Sequence, residues 1–130
     1  MSFDSNVLIL YLGNLLDEES LEFKILTKSL AEIRAYISIV VLMEVLAYSG
    51  YTRERAEDIR LEIMNSFNVI EMNNDIAMLA ANIARERKQK TGKKLKLTDA
   101  IIAATAICND FPLITLDKDD FNGIEKLKCK

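Results

Sequence analysis

The chain contains no histidine at all, and that absence excludes more than any average of its composition. Without imidazole there is no Ser-His-Asp or Cys-His catalysis, no His-based acid–base pair and no ordinary His/Cys zinc site. Of the two cysteines, Cys108 lies in an apolar helical stretch and Cys129 beside the last residue. They lack metal-ligand spacing and are expected to be reduced thiols. There is no tryptophan and a single proline, Pro112, with no repeat, low-complexity tract or linker, so residues 1–130 are expected to form one domain. No apolar run approaches the ~20 residues needed to cross a bilayer, and "MSFDSN" lacks the basic start of a signal peptide. A soluble, cytoplasmic protein without membrane contact is expected. Any chemistry must rest on carboxylates and other oxygens, a donor set that suits Mg2+ or Mn2+.

What is present is an alternation of short apolar strands and longer helices. A very short strand ends near Asp4, and a helix follows with Leu8, Tyr11 and Leu12 at helical spacing. Residues 17–33 read as an amphipathic helix and "AYIS" as a strand. Ser38 then caps the helix "IVVLMEVLAYSG", with Gly50 expected to close it. "TRERAEDIRLEIMNSF" is an exposed helix from Thr52, "NVIEM" a strand, and a helix runs from Asn74 to a basic loop at Gly92. The helix of "KLTDAIIAATA" and the strand "PLIT" complete the order. Such alternation predicts an α/β fold with a parallel sheet covered on both faces.

In parallel sheets ligands bind beyond the carboxyl ends of the strands, which is where several acids fall. Asp4 follows the first strand, and Asp117 and Asp120 follow "PLIT". Asp99 opens an Ala- and Ile-rich helix. Glu44 is the only charged residue between Arg34 and Arg53, and an ionised carboxylate is seldom buried unless paired or on a metal. Each acid also has a plain structural reading: Asp4 as a helix N-cap, Asp117 and Asp120 as turn residues, Glu44 as a side chain reaching water, and Asp99 as a charge at a helix N-terminus capped by Thr98.

The segments "DSNVLI" at 4–9, "SIVVLMEVL" at 38–46, "KLTDAIIAATA" at 96–106 and "LITLDKDDF" at 113–121 resemble the acidic motifs of the PIN domain, most closely the VapC-like toxin ribonucleases of prokaryotic toxin–antitoxin pairs. The resemblance runs in order over nearly the whole chain, and "TDAIIAATA" is its most specific piece. It implies a single PIN-like domain with a parallel sheet of about five strands flanked by helices, and an endoribonuclease dependent on Mg2+ or Mn2+. It carries metal binding to Asp4, Glu44, Asp99 and Asp117, with Asp4 and Asp99 as core ligands. Asp120 is a second candidate in the last motif, behind Asp117. Asn6 matches an amide expected to orient Asp4, Thr115 is expected to hold a water or a ligand, and Arg85 matches a basic position whose plain alternative is a solvated helix-end cation. Two divalent ions roughly 3.5–4 Å apart would serve both the attacking and the leaving oxygen of a phosphodiester.

The formal net charge is −3, yet residues 85–96, "RERKQKTGKKLK", hold seven cations against one acid. Arg85, Lys88, Lys90, Lys93, Lys94 and Lys96 are therefore candidates for following an RNA backbone up to Asp99; the alternative is a solvated helix end and loop. No aromatic platform of the RRM kind is visible, so specificity is expected from RNA shape or a loop. Other readings are a PIN-fold housekeeping RNA-processing nuclease, a catalytically inactive PIN-fold binding module, and a phosphoacceptor receiver-like domain, against which stand the missing Lys-Pro pair and the unexplained Glu44. Leu42, Val45, Leu46, Tyr48 and Tyr51, with Leu8, Tyr11 and Leu12, supply much apolar surface, either core or an interface. The family resemblance implies a homodimer and a small antitoxin whose helix occupies a groove beside the acids.

Overall fold

A computed structural model describes residues 1–130. Four short strands, β1 (Ser2–Phe3), β2 (Tyr36–Ser38), β3 (Asn68–Ile70) and β4 (Leu113–Ile114), form one parallel sheet in the order β3-β2-β1-β4. Seven helices lie between and after them: α1 (Ser5–Leu12), α2 (Leu21–Ala31), α3 (Ile39–Leu46), α4 (Arg53–Ser66), α5 (Asn74–Thr91), α6 (Leu97–Cys108) and α7 (Lys118–Phe121). The C-terminal tail adds the rudiment of a fifth strand, through a parallel bridge between Leu113 and Cys129 and a 2.7 Å bond from the Leu113 amide to the Lys128 carbonyl.

Strands of two or three residues make few ladder bonds, so the sheet is held mainly by what covers it. Phe3, Ile37, Leu113 and Ile114 are fully buried and share one core of 26 residues with Val7, Leu8, Val41, Ile63, Ile76 and Ile102. The alanines of α6 have a role in this: Ala100, Ala103, Ala104 and Ala106 are all fully buried, because side chains of a single methyl group let the helix approach its neighbours closely. An acid at the head of such a helix therefore stands at the margin of an apolar core.

β1 lies between β2 and β4, so the chain leaves its carboxyl end towards β2 on one side while β4 lies on the other. That is the switch point at which open parallel sheets place their ligand crevice. Asp4 continues β1 into it, with its amide donating to the Ile114 carbonyl at 2.9 Å.

Most local signals were obeyed. Ser38 caps α3 through the Val40 amide, Thr52 caps α4 through Arg55, and Gly92 ends α5 in the left-handed conformation at φ 71°. Three expectations are corrected. The helix expected over 17–33 is restricted to Leu21–Ala31, because the Ser20 hydroxyl caps it at the Phe23 amide. The third helix ends at Leu46, not at Gly50; Gly50 instead lies under the Tyr48 ring, which any Cβ there would strike. Lys96, not Thr98, occupies the N-cap of α6, and no side chain caps that helix.

Candidate active site

Four elements deliver acids to the carboxyl edge of the sheet. Asp4 sits between β1 and α1, Glu44 on the second turn of α3, Asp99 on the first turn of α6, and Asp117 and Asp120 at the start and middle of α7. Asp4 is 5 % exposed; Glu44 and Asp99 are half-buried, whereas Asp117 and Asp120 face solvent.

Asp4 takes up its plain structural reading, and its second oxygen is engaged as well. One carboxylate oxygen, Oδ1, accepts the Ser5 amide at 2.8 Å as an N-cap, and the other, Oδ2, accepts the Thr115 hydroxyl at 2.8 Å. Thr115 is fully buried, and its oxygen also accepts the Asp117 amide at 3.0 Å and the Asn6 side-chain amide at 3.4 Å. With its proton given to Asp4 and both acceptor directions taken, the hydroxyl has no capacity left for a water or a ligand. Asn6 likewise differs from expectation: it does not touch Asp4, but donates to Asp117 Oδ2 at 3.1 Å and accepts the Leu116 amide at 3.3 Å. Together Asn6 and Thr115 join the end of β4 to the end of β1.

The electrostatics show that these acids share one field. Burial raises the carboxyl of Asp4, the Asp117 charge adds to the rise, and the bonds from Thr115 and Ser5 oppose it. Glu44 is raised by burial and then by Asp4, against the Ser5 side chain and Lys96. Asp99 is pushed up to about 6 by burial, and then by Asp4, Glu44 and Asp120, with Lys96 opposing. A helix N-terminus favours the charged form of a carboxylate, so the rise at Asp99 means that burial and the neighbouring acids outweigh the dipole.

All the donors are oxygens, and the buried Oε1 of Glu44 has no hydrogen-bond partner. A carboxylate oxygen desolvated without a proton donor is costly, and a hard divalent cation would satisfy it. No three of the acids stand close enough to enclose an ion as they are. The chemistry of the donor set, oxygens alone, suits a hard cation such as Mg2+ or Mn2+.

Of the basic run, Lys96 lies close enough to act on Glu44 and Asp99. Lys88, Lys90, Lys93 and Lys94 are exposed along the end of α5 and the loop after it. Arg85 is exposed and donates to Asn82 on its own helix at 2.6 Å, away from the acids' hydrogen bonds. The residue missed by reading the sequence is Arg87, whose guanidinium donates to the Asp120 carbonyl at 2.9 Å and to the Asn122 carbonyl at 3.3 Å. Its sequence signal, one of two arginines among seven cations, does not distinguish it.

Thr115→Val is expected to destabilise the protein by about 1–3 kcal/mol, because it leaves the buried Asp4 oxygen and the Asp117 amide without partners. Thr115→Ser keeps the hydroxyl and should cost less than half as much; urea denaturation of the two variants checks this.

The PIN domain family model matches residues 1–127. A VapC ribonuclease of Pyrococcus furiosus is 30 % identical over 104 residues, 79 % of this chain and 68 % of that protein. Among solved structures, a toxin–antitoxin complex from Klebsiella pneumoniae contains a chain 31 % identical at a TM-score of 0.69, with 97 % of this chain and 93 % of that one covered. DNA-bound VapBC from Salmonella typhimurium is similar at a TM-score of 0.80 and 19 % identity, with 99 % and 95 % covered; at that identity the likeness speaks for the fold. Acids from four elements at the switch point of a parallel sheet, and a family match over almost the full length, lead to one conclusion: the chain belongs to the PIN domain family.

Proposed function

We propose that the protein is an endoribonuclease dependent on Mg2+ or Mn2+, and the toxin of a toxin–antitoxin pair. The observation that carries the reading is the convergence of Asp4, Glu44 and Asp99, with Asp117 and Asp120 at the rim, into one electrostatically coupled cluster in a chain that has no histidine. Asp4 and Asp99 are the core metal ligands, and Glu44 and Asp117 complete the site directly or through water. A divalent ion bound there would lower the pKa of a water and stabilise charge on the attacking and leaving oxygens of a phosphodiester. Thr115 and Asn6 fix the carboxylates in place. Lys96 leads the basic stretch 85–96, which follows the RNA phosphates towards the acids.

The partner reading rests on a groove beside the site. Ile9, Leu12, Leu15, Val45, Tyr48 and Tyr51 line it and Glu44 stands at its edge, a surface suited to an amphipathic helix. The relatives are a VapC ribonuclease and chains from toxin–antitoxin complexes, which favours a toxin over a housekeeping nuclease. A bound antitoxin helix would block RNA, or set a cation among the acids in place of metal. The protein is expected to form a homodimer as well.

The test is incubation of the purified protein with total RNA and Mg2+ or Mn2+, with the cut ends mapped. Discrete internal cuts that vanish with chelator, and vanish again on co-expression with the small protein encoded beside it, are the expected outcome. Uncut RNA under every metal condition overturns the nuclease reading; cutting that persists in the presence of the neighbouring product overturns the toxin reading.

A further inference from the structure

Among the seven cations of residues 85–96, Arg87 alone is half-buried; the other six are exposed. It projects from α5, which packs against α6, and its two hydrogen bonds go to backbone carbonyls at the end of α7, those of Asp120 and Asn122. These are the orphan carbonyls at a helix C-terminus, to which a guanidinium is well matched in charge and geometry. α7 is one turn long, and its N-cap residue Asp117 makes no side-chain capping bond. The turn is secured at four points: Asn6 holds the Asp117 side chain, the Thr115 hydroxyl accepts the Asp117 amide, Phe121 is 2 % exposed in the core, and Arg87 grips the far end. Asp120 itself makes no side-chain hydrogen bond that would orient it, so where it stands at the rim of the acids depends on the backbone that Arg87 holds.

We propose that Arg87 is a positioning residue: it clamps the 117–122 turn from α5 and so holds Asp117 and Asp120 at the rim of the acids where a cation would bind, while its neighbours in the basic run remain free for RNA. The proposal rests on the metal-dependent nuclease reading and adds to it a division of labour within one stretch of cations. Six of them act as a diffuse field for phosphates, and the seventh is committed to the acid-bearing turn.

Two measurements need no turnover: hydrogen exchange of the metal-free protein, and Mn2+ binding by calorimetry. In Arg87→Met, exchange of the amides of residues 118–122 is expected to quicken about tenfold while α1 and α6 stay protected. The Mn2+ dissociation constant should rise about 10-fold, the lower end of what loss of a ligand-supporting contact does. Arg87→Lys, which reaches one carbonyl with a single ammonium, should lie between Met and wild type and covers the case in which Arg87→Met folds poorly. With RNA, kcat or its dependence on Mn2+ should change at constant KM and constant salt slope. Wild-type exchange and Mn2+ affinity in both variants overturn the proposal, as does exchange that quickens uniformly over the whole chain. A higher KM with a shallower salt dependence as the only change also overturns it, because it marks Arg87 as a phosphate contact. Absence of Mn2+ binding by the wild-type protein would overturn the nuclease reading, and the exchange measurement would still decide whether Arg87 holds the turn.

Discussion

Asp4→Asn and Asp99→Asn are each expected to lower metal-dependent RNA cleavage by roughly 10²-fold or more while the fold is retained. Asn is as good an N-cap as Asp, so Asp4→Asn keeps the bond to the Ser5 amide that starts α1; it loses the charge that would hold a cation and the oxygen that accepts the Thr115 hydroxyl. Asp99 caps nothing, since α6 begins without a side-chain cap, and its replacement removes a carboxylate that burial, and then its acidic neighbours, destabilise. Circular dichroism of both variants should match the wild type, and a gel assay on RNA fragments in Mn2+ measures the loss. Cleavage at the wild-type rate by both variants would sink the assignment of metal ligands. The same assay separates the last motif: Asp117 acts on Asp4 and Asp120 on Asp99, and Asp117→Asn is expected to be the more damaging because Asn6 holds that carboxylate in place.

Manganese should raise the melting temperature of the wild-type protein at pH 7.5 by several degrees, on the order of 5 °C at millimolar concentration. The cause is the state of the acids without metal. Asp99 moves from an ordinary value of 3.8 to about 6, and Asp4 and Glu44 move in the same direction, each first through burial. A carboxyl whose folded pKa lies above its unfolded one binds protons more tightly in the native state. Its contribution therefore favours folding when it is protonated, and that advantage is lost as pH rises from about 4 through about 6. The metal-free protein should be penalised at neutral pH, and a cation among the acids cancels the penalty. The stabilisation by Mn2+ should accordingly shrink below pH 6, where protons compete for the same oxygens. Asp99→Asn should stabilise the metal-free protein at pH 7.5 and abolish most of the response to Mn2+. A melting curve indifferent to millimolar Mn2+, with no heat of binding in calorimetry, would rule this account out.

Much of the architecture was legible in short segments, because caps and periodicity act over three or four residues. Ser38, Thr52 and Gly92 bound their helices where local chemistry requires it, and the alternation of apolar strands with helices sufficed for a parallel sheet. The acids were legible for a related reason: Glu44 and Asp99 stand in apolar runs that give a charge no evident partner. What failed locally was the start of α6, where Thr98 satisfies the preference for an N-cap yet Lys96 takes the position. There the Ala100 amide already donates to the Lys96 carbonyl at 3.0 Å, so the helix is under way before Thr98.

The sequence by itself determined which chemistry is available: oxygen ligands without histidine, acids at the ends of strands, and a basic stretch leading to one of them. Only the tertiary structure decided who holds whom. Thr115 grips Asp4 across 111 residues, Asn6 grips Asp117 across 111, and Arg87 reaches the Asp120 carbonyl across 33. Such pairings leave no periodic trace in the chain, because a hydrogen bond needs its two atoms within about 3 Å. That closeness arises only when β1 is laid between β2 and β4 and α5 is packed beside α6.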